Sequence, residues 1–259
     1  GVFFSNNNGL SWIPVNTGLT NTYVKALAAS PDSSRNLFAG TVHGIFRSSD
    51  RGTNWIAVNT GLTNSYSSVS ALTVSPDLPE NLFAGTSGSG IFLSSDIGTN
   101  WTTVNTGLLN RSVQTLAFFG SNLFAGTYWG GIFRSTNRGT SWTSVTGSMY
   151  ADVRCIAGSG ANLLAGTWGG GVFLSTNNGG TWTTVNNGLR DTTINAITFL
   201  GTNLFVGTSG GVFLSTNNGA NWIVANTGIT TPYVCALAAS PGLSGNIFAG
   251  TYGGGVFLS

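Results

Sequence analysis

Charged side chains are scarce in this chain, only 6% of its 259 residues, where ordinary soluble domains carry about 25%. Glu80 is the only glutamate and His43 the only histidine, so acid–base catalysis and metal ligation have few residues to draw on. Nine cations against seven anions leave a net charge of +2. Those cations are scattered from Lys25 to Arg190 and form no basic stripe that could neutralise phosphates, which argues against a nucleic-acid partner. No apolar run approaches the roughly 18 residues of a membrane span, and the chain opens on a strand with no leader of signal-peptide type. A surface poor in Lys and Glu and rich in Asn, Thr and Gly fits a secreted or cell-surface bacterial protein whose signal peptide has been removed. Cysteine is almost absent too. Cys155 and Cys235 fall on the same strand type two repeats apart, beyond the roughly 7 Å at which a bridge closes, and are expected to be buried free thiols.

What is abundant is glycine and large apolar side chains, with 39 Gly, 16 Phe and 8 Trp in a chain that is 41% hydrophobic. That composition builds a turn-rich β domain with a substantial core, and no shift in composition divides residues 1–259, which read as one domain and as a monomer. The phrase Ser-x-(Asp/Asn)-x-Gly-x-(Thr/Ser/Asn)-Trp occurs six times, at Ser5–Trp12, Ser48–Trp55, Ser94–Trp101, Ser135–Trp142, Ser175–Trp182 and Ser215–Trp222. Its tryptophans fall 40 to 46 residues apart, a period of propellers, solenoids and arrays. Each repeat reads as four strands. A Val-x-Ala-Leu run such as Val24-Lys25-Ala26-Leu27 is followed by a Leu-Phe-Ala-Gly-Thr run such as Leu37 to Thr41. A Gly-rich turn then opens Gly44-Ile45-Phe46, and the Trp phrase leads into a last strand ending in Val-Asn-Thr-Gly-Leu. Short strands separated by Gly/Asn/Asp turns predict blades, hence an all-β, six-bladed β-propeller of four-stranded antiparallel blades.

The repeated phrase resembles the Asp box, or BNR repeat, of sialidases, xyloglucan-cleaving propeller hydrolases, the Vps10 receptor domain and the photosystem II assembly factor family. The resemblance covers the whole chain. It implies that the box is an outer-hairpin turn away from any active centre, so that Asn7, Asp50, Asp96, Asn137, Asn177 and Asn217 are turn-builders. It departs from sialidases where their chemistry lies. An arginine triad and a Tyr–Glu nucleophile pair are required there, whereas Glu80 sits in a Pro-rich turn and no Arg-Ile-Pro motif occurs. Metal and nucleophile constellations are missing as well. Gly169-Gly170-Gly171 lies between two strands and opens no helix, so no cofactor is called for.

Third-strand copies number seven, because Gly1 to Ser5 is matched by Gly255 to Ser259. The expectation is a ring latched by pairing of N- and C-terminal strands, with one copy surplus, since an open array leaves bare edges. A segment of a longer array is the alternative.

Candidate function lies in what varies. The second-to-third-strand turns carry aromatics at Tyr128, Trp129, Trp168 and Tyr252, where two sister turns carry Ser-Gly, and rings beside bare backbone suit sugar rings. A polar column on the innermost strands, Lys25, Ser70, Gln114, Arg154, Asn195 and Cys235, is placed near the mouth of a central channel. Asp152 and Asp191, with Arg111, Arg154 and Arg190 nearby, form the weaker case for a glycoside hydrolase, because Asp152 and Arg154 neutralise each other most simply. The reading is a non-catalytic binding or display propeller with a glycan or protein ligand at Tyr128, Trp129, Trp168, Tyr252, Arg154, Asp152, Gln114 and Lys25. The alternative is a structural spacer of a larger surface protein. A binding module should line a pocket with these rings, and a spacer should pack them flat.

Overall fold

The computed structural model describes residues 1–32, 34–62, 68–147, 149, 151–240 and 245–259. Among them are twenty-five strands and no helix. A hairpin of β1 (Phe3–Phe4) and β2 (Ile13–Pro14) comes first. Blade 1 holds β3 (Val24–Ala29), β4 (Leu37–Thr41), β5 (Gly44–Ser48) and β6 (Ile56–Ala57), and blade 2 holds β7 (Val69–Val74), β8 (Leu82–Thr86), β9 (Ile91–Ser94) and β10 (Thr102–Thr103). Blade 3 comprises β11 (Val113–Phe119), β12 (Asn122–Thr127), β13 (Gly131–Ser135) and β14 (Thr143–Ser144). Blade 4 comprises β15 (Val153–Ser159), β16 (Asn162–Thr167), β17 (Gly171–Ser175) and β18 (Thr183–Thr184). Blade 5 has β19 (Ile194–Leu200), β20 (Asn203–Thr208), β21 (Gly211–Ser215) and β22 (Ile223–Val224), and blade 6 has three strands, β23 (Val234–Ala239), β24 (Ile247–Thr251) and β25 (Gly255–Leu258). The fold class is therefore the all-β six-bladed propeller expected. Chain contacts group into two units, Gly1–Thr127 with Phe133–Thr143, and Tyr128–Ile132 with Ser144–Ser259.

The box is a self-contained hydrogen-bonded turn. In blade 1 the Ser48 hydroxyl donates to Asp50 Oδ1 at 2.8 Å and accepts the Gly52 N–H at 2.8 Å, while Asp50 Oδ1 also accepts the Asn54 N–H at 2.9 Å. Asn137 repeats the scheme in blade 3, taking the Ser141 N–H at 2.9 Å, so the neutral amide keeps the acceptor that the turn needs. These bonds hold the Asp50 and Asp96 carboxyls below the usual carboxylate range, the Asn54 and Asn100 amides contributing most.

The box tryptophan serves the joint between repeats. Trp142 Nε1 donates to the Val104 carbonyl at 2.8 Å and its backbone N–H to the Thr106 carbonyl at 2.8 Å, both in the repeat before. Trp55, Trp101 and Trp222 do the same on Val15 and Thr17, Val58 and Thr60, and Val185 and Asn187. Around Trp142 close Phe83, Ile91, Leu108, Leu123 and Phe133, with Val104 against them. A second lock is the Asn of Val-Asn-Thr-Gly. Asn59, Asn105, Asn186 and Asn226 each accept, through Oδ1, the N–H of Ile45, Ile91, Val172 or Val212 at the start of their own blade's third strand at 2.6–2.7 Å. Second-strand Gly40, Gly85, Gly166 and Gly207 leave room for the first strand of the next blade, since a Cβ there would run into Val69, Val113, Ile194 or Val234.

Two expectations need correction. Among the described residues the pairings of the terminal strands are local and the expected pairing of one with the other is not found: β1 pairs with β2, and β25 pairs with β24. Because Gly255–Leu258 continues directly from the β24 turn, the local copy of the third strand takes the edge of β24. Cys235, expected to be buried, is exposed. β23 packs on β19 and β20, and its other face is left open. Cys155 is half-buried against the neighbouring blade, and desolvation pushes its thiol up to about 12, which disfavours the thiolate.

Candidate functional site

Each innermost strand breaks register once, between Val24 and Ala26, Val69 and Ala71, Val113 and Thr115, Val153 and Cys155, Ile194 and Ala196, and Val234 and Ala236. The polar column is therefore the set of bulge residues: Lys25, Ser70, Gln114, Arg154, Asn195 and Cys235. A bulge leaves its residue outside the ladder and re-aims the side chain, which is why this one position tolerates Lys, Gln, Arg and Asn within an apolar strand.

In blades 4 and 5 the bulge residues join. Arg154 Nη1 donates to Asn195 Oδ1 at 2.6 Å, and Asn195 Nδ2 donates to the Val234 carbonyl at 2.9 Å. The Arg154 guanidinium carbon lies 4.3 Å from the centre of the Trp168 ring, a cation–π contact. Its Nε lies 3.5 Å from Asp152 Oδ2. The Trp168 N–H donates to the Asp152 carbonyl at 2.9 Å, and Gly169 and Gly171 both donate to the Thr192 carbonyl, so the turn of blade 4 is tied to the entries of two first strands. Three of the expected residues, Asp152, Arg154 and Trp168, thus meet in one network, with Asn195 as a fourth member.

Asp152 is 1% exposed, yet its Oδ1 has no hydrogen-bond partner. Burial raises its carboxyl above the ordinary 3.8, outweighing the attraction of Arg154. A raised acid means that the folded state holds the proton more tightly, so this group's contribution to stability is largest at low pH and is lost as pH rises through the raised value. Asp152→Asn removes that slope. Denaturant melts of parent and variant should show the parent's stability relative to the variant falling as pH rises above the ordinary 3.8, the exposed carboxyls cancelling in the difference. A flat difference would show that folding does not raise the Asp152 carboxyl.

The remaining candidates sit elsewhere. Tyr128 and Trp129 pair edge to face with centroids 6.3 Å apart, and Tyr252 pairs with Tyr233 at 6.0 Å. Tyr233, which sequence reasoning passed over, stands just before the first strand of blade 6, as Tyr23 does in blade 1. Trp129 is 56% exposed and adopts φ +53°, where Gly169 and Gly253 hold the matching place in sister turns at +81°. Gln114 and Lys25 occupy their bulges in the first unit, Lys25 exposed and Gln114 half-buried. Asp191 accepts the Thr193 N–H at 2.8 Å and so caps its own turn. Among the described residues no group of three His, Cys, Asp or Glu could hold a metal ion, and no helix is long and apolar enough to cross a membrane.

Against known proteins, the model of the BNR-Asp box repeat matches residues 45–58, the third strand and box of blade 1. No curated protein matches the chain. Solved structures similar to it include a GH74 xyloglucanase from Xanthomonas campestris, 17% identical, with a TM-score of 0.76 over 99% of this chain and 48% of that one. YCF48 bound to D1 peptide is 15% identical, with a TM-score of 0.72 over 92% of this chain and 78% of that one. An extracellular domain assigned to a hybrid two-component system of B. thetaiotaomicron is 16% identical, with a TM-score of 0.76 over 95% of this chain and 34% of that one. The chain thus spans less than half of the xyloglucanase and of the sensor domain, and likeness at these identities is a likeness of fold. The box of blade 1 thus matches the BNR-Asp box repeat, the other five copies share its phrase, and the solved structures share the propeller fold.

Proposed function

We propose that the chain is a non-catalytic binding propeller, secreted or surface-attached, that recognises a glycan through the aromatic turns of blades 3, 4 and 6. The observation that carries this reading is Trp129. A left-handed backbone costs an L-residue about 1–2 kcal/mol, the sister turns avoid that cost with glycine, and the half-exposed ring recovers little by burial. Strained residues of this kind gather at ligand clamps. Trp168 adds a half-exposed ring backed by Arg154, whose guanidinium also supplies donors for hydroxyl groups. Similarity to a xyloglucanase and to an extracellular sensor domain supports a glycan ligand and an extracellular setting. Hydrolysis draws no support from Asp152 and Asp191, one held by Arg154 and the other by its own turn.

The rival is a structural spacer, favoured by the rings having protein neighbours of their own: Arg154 under Trp168, and edge-to-face partners for Trp129 and Tyr252. Isothermal titration against a glycan panel separates the two. Trp168→Ala and Trp129→Gly should each weaken binding at least tenfold, or about 1.4 kcal/mol, and Trp129→Gly should fold at least as stably as the parent because its backbone prefers glycine. No binding by the parent across the panel, or binding untouched in both variants, leaves the spacer as the better account.

A further inference from the structure

Blade 4 sets an acid and a base side by side at the entry of its first strand, which no other repeat does. In repeat register Asp152 stands where Tyr23, Ser68, Ser112, Thr193 and Tyr233 stand in the other blades, and Arg154 is the bulge residue two places on. The pair is layered rather than level: Asp152 is 1% exposed, whereas the Arg154 side chain keeps 24% of its surface open. A molecule arriving at this turn therefore meets the cation and finds the carboxyl covered.

That carboxyl does not fully neutralise the cation. Arginine–carboxylate pairs at full strength are forked, with two parallel bonds of about 2.7–2.9 Å, and here a single contact runs from Nε to Oδ2 at 3.5 Å. Oδ1 is buried and finds no hydrogen-bond partner. An ionised carboxylate with a bare oxygen away from water is costly, and the group avoids that cost by holding its proton. Burial raises the Asp152 carboxyl accordingly, ahead of the attraction of Arg154. The other titratable groups nearby do not alter the balance. Cys155, next along the strand, is kept as the thiol by desolvation, and the entry of blade 5 carries one charge of each sign, Arg190 and Asp191. Arg154 is thus only partly compensated from within the protein.

The guanidinium is also held ready. Nη1 donates to Asn195 Oδ1 at 2.6 Å, and the guanidinium carbon lies 4.3 Å from the centre of the Trp168 ring. With Nε turned to Asp152, two of the five N–H donors of an arginine are in use, and among the described residues nothing takes those of Nη2. A planar set of donors of this kind matches the oxygens of an oxyanion. Half-exposed Trp168 offers its ring beside it. We propose that Arg154 binds an anionic group, a carboxylate or a sulfate, on a sugar stacked at Trp168, so that the ligand is an acidic glycan; this rests on the glycan reading of the same site. A sugar hydroxyl also accepts from Nη2, but a hydrogen bond with charge on both partners is roughly twice as strong as a neutral one. The anion alone gains from the charge that Asp152 leaves over.

Isothermal titration of the full chain tests this with two matched pairs, an oligouronate beside its methyl ester and a sulfated galactan oligosaccharide beside its desulfated form. At least one acidic form should bind the parent at least about tenfold more tightly than its neutral partner, and the pair that shows it separates carboxylate from sulfate. Raising salt from about 0.1 to about 1 M should erode that preference and leave the neutral form little changed. Arg154→Gln should bring the acidic form down to the affinity of its neutral partner, and Arg154→Lys should keep part of the preference, because the charge survives without the fork. Trp168→Ala should weaken acidic and neutral forms alike. A parent that binds neutral glycans with no preference for either acidic form overturns this inference alone, while no binding to any glycan removes the glycan reading with it. A preference that ignores salt, or that survives in Arg154→Gln, overturns it too. The salt arm needs no variant, so an Arg154→Gln chain that fails to fold leaves the test intact.

Discussion

Replacing Trp142 by alanine should destabilise the fold by about 3–5 kcal/mol, the range for deleting a buried aromatic. The ring is 4% exposed, is surrounded by Phe83, Leu108, Leu123 and Phe133, and gives its indole N–H to Val104. Truncation opens a cavity at the joint of two repeats and leaves the Val104 carbonyl without its donor, two losses that fall together. Trp101→Ala should cost a similar amount, through Val58. Chemical denaturation monitored by circular dichroism checks both, and a loss below about 1 kcal/mol at either site would mean that the joint contributes little.

Gly107→Ala should be nearly as damaging, at about 2–4 kcal/mol. The left-handed backbone, φ +80°, costs an alanine about 1–2 kcal/mol. The new methyl would also meet the Trp142 carbonyl, a backbone atom that cannot swing away, and overpacking of that kind typically adds about 1–3 kcal/mol. Gly228 provides the control. It has a similar angle, φ +84°, and open space above it, so Gly228→Ala should cost only the conformational part. Equal losses at the two glycines would show that φ alone explains them, and that the close approach of Trp142 is immaterial.

Local rules made most of this architecture legible before any coordinates. The Ser-x-(Asp/Asn)-x-Gly phrase is a set of short-range hydrogen bonds, and the strand alternation around it fixes four-stranded blades, so both are written in contiguous residues. The Asn of Val-Asn-Thr-Gly was visible as a recurrence, but its bond reaches back 14 residues to a strand N–H, a pairing that composition does not announce. The candidate site was half legible. Aromatic turns stood out because sister repeats lack them, whereas the union of Asp152, Arg154, Trp168 and Asn195 depends on bulges, and a bulge is a property of two paired strands. Burial failed at Cys235 and at the terminal strands for one reason. Each repeat is covered by its neighbours, so position in the series decides exposure, and residue type cannot report it.

Because each box tryptophan from Trp55 to Trp222 rests on the repeat before it, the array has a polarity that its internal symmetry conceals. Loss of the first hairpin would strip Trp55 of its acceptors on Val15 and Thr17, and the damage would reach into blade 1. Loss of blade 6 unseats no tryptophan, since none of the described boxes leans on it. The chain can therefore be shortened from its C-terminal side a repeat at a time with each remaining joint intact, while from its N-terminal side every cut exposes a ring. Order along the chain becomes an order of dependence, each described repeat serving as the footing of the next.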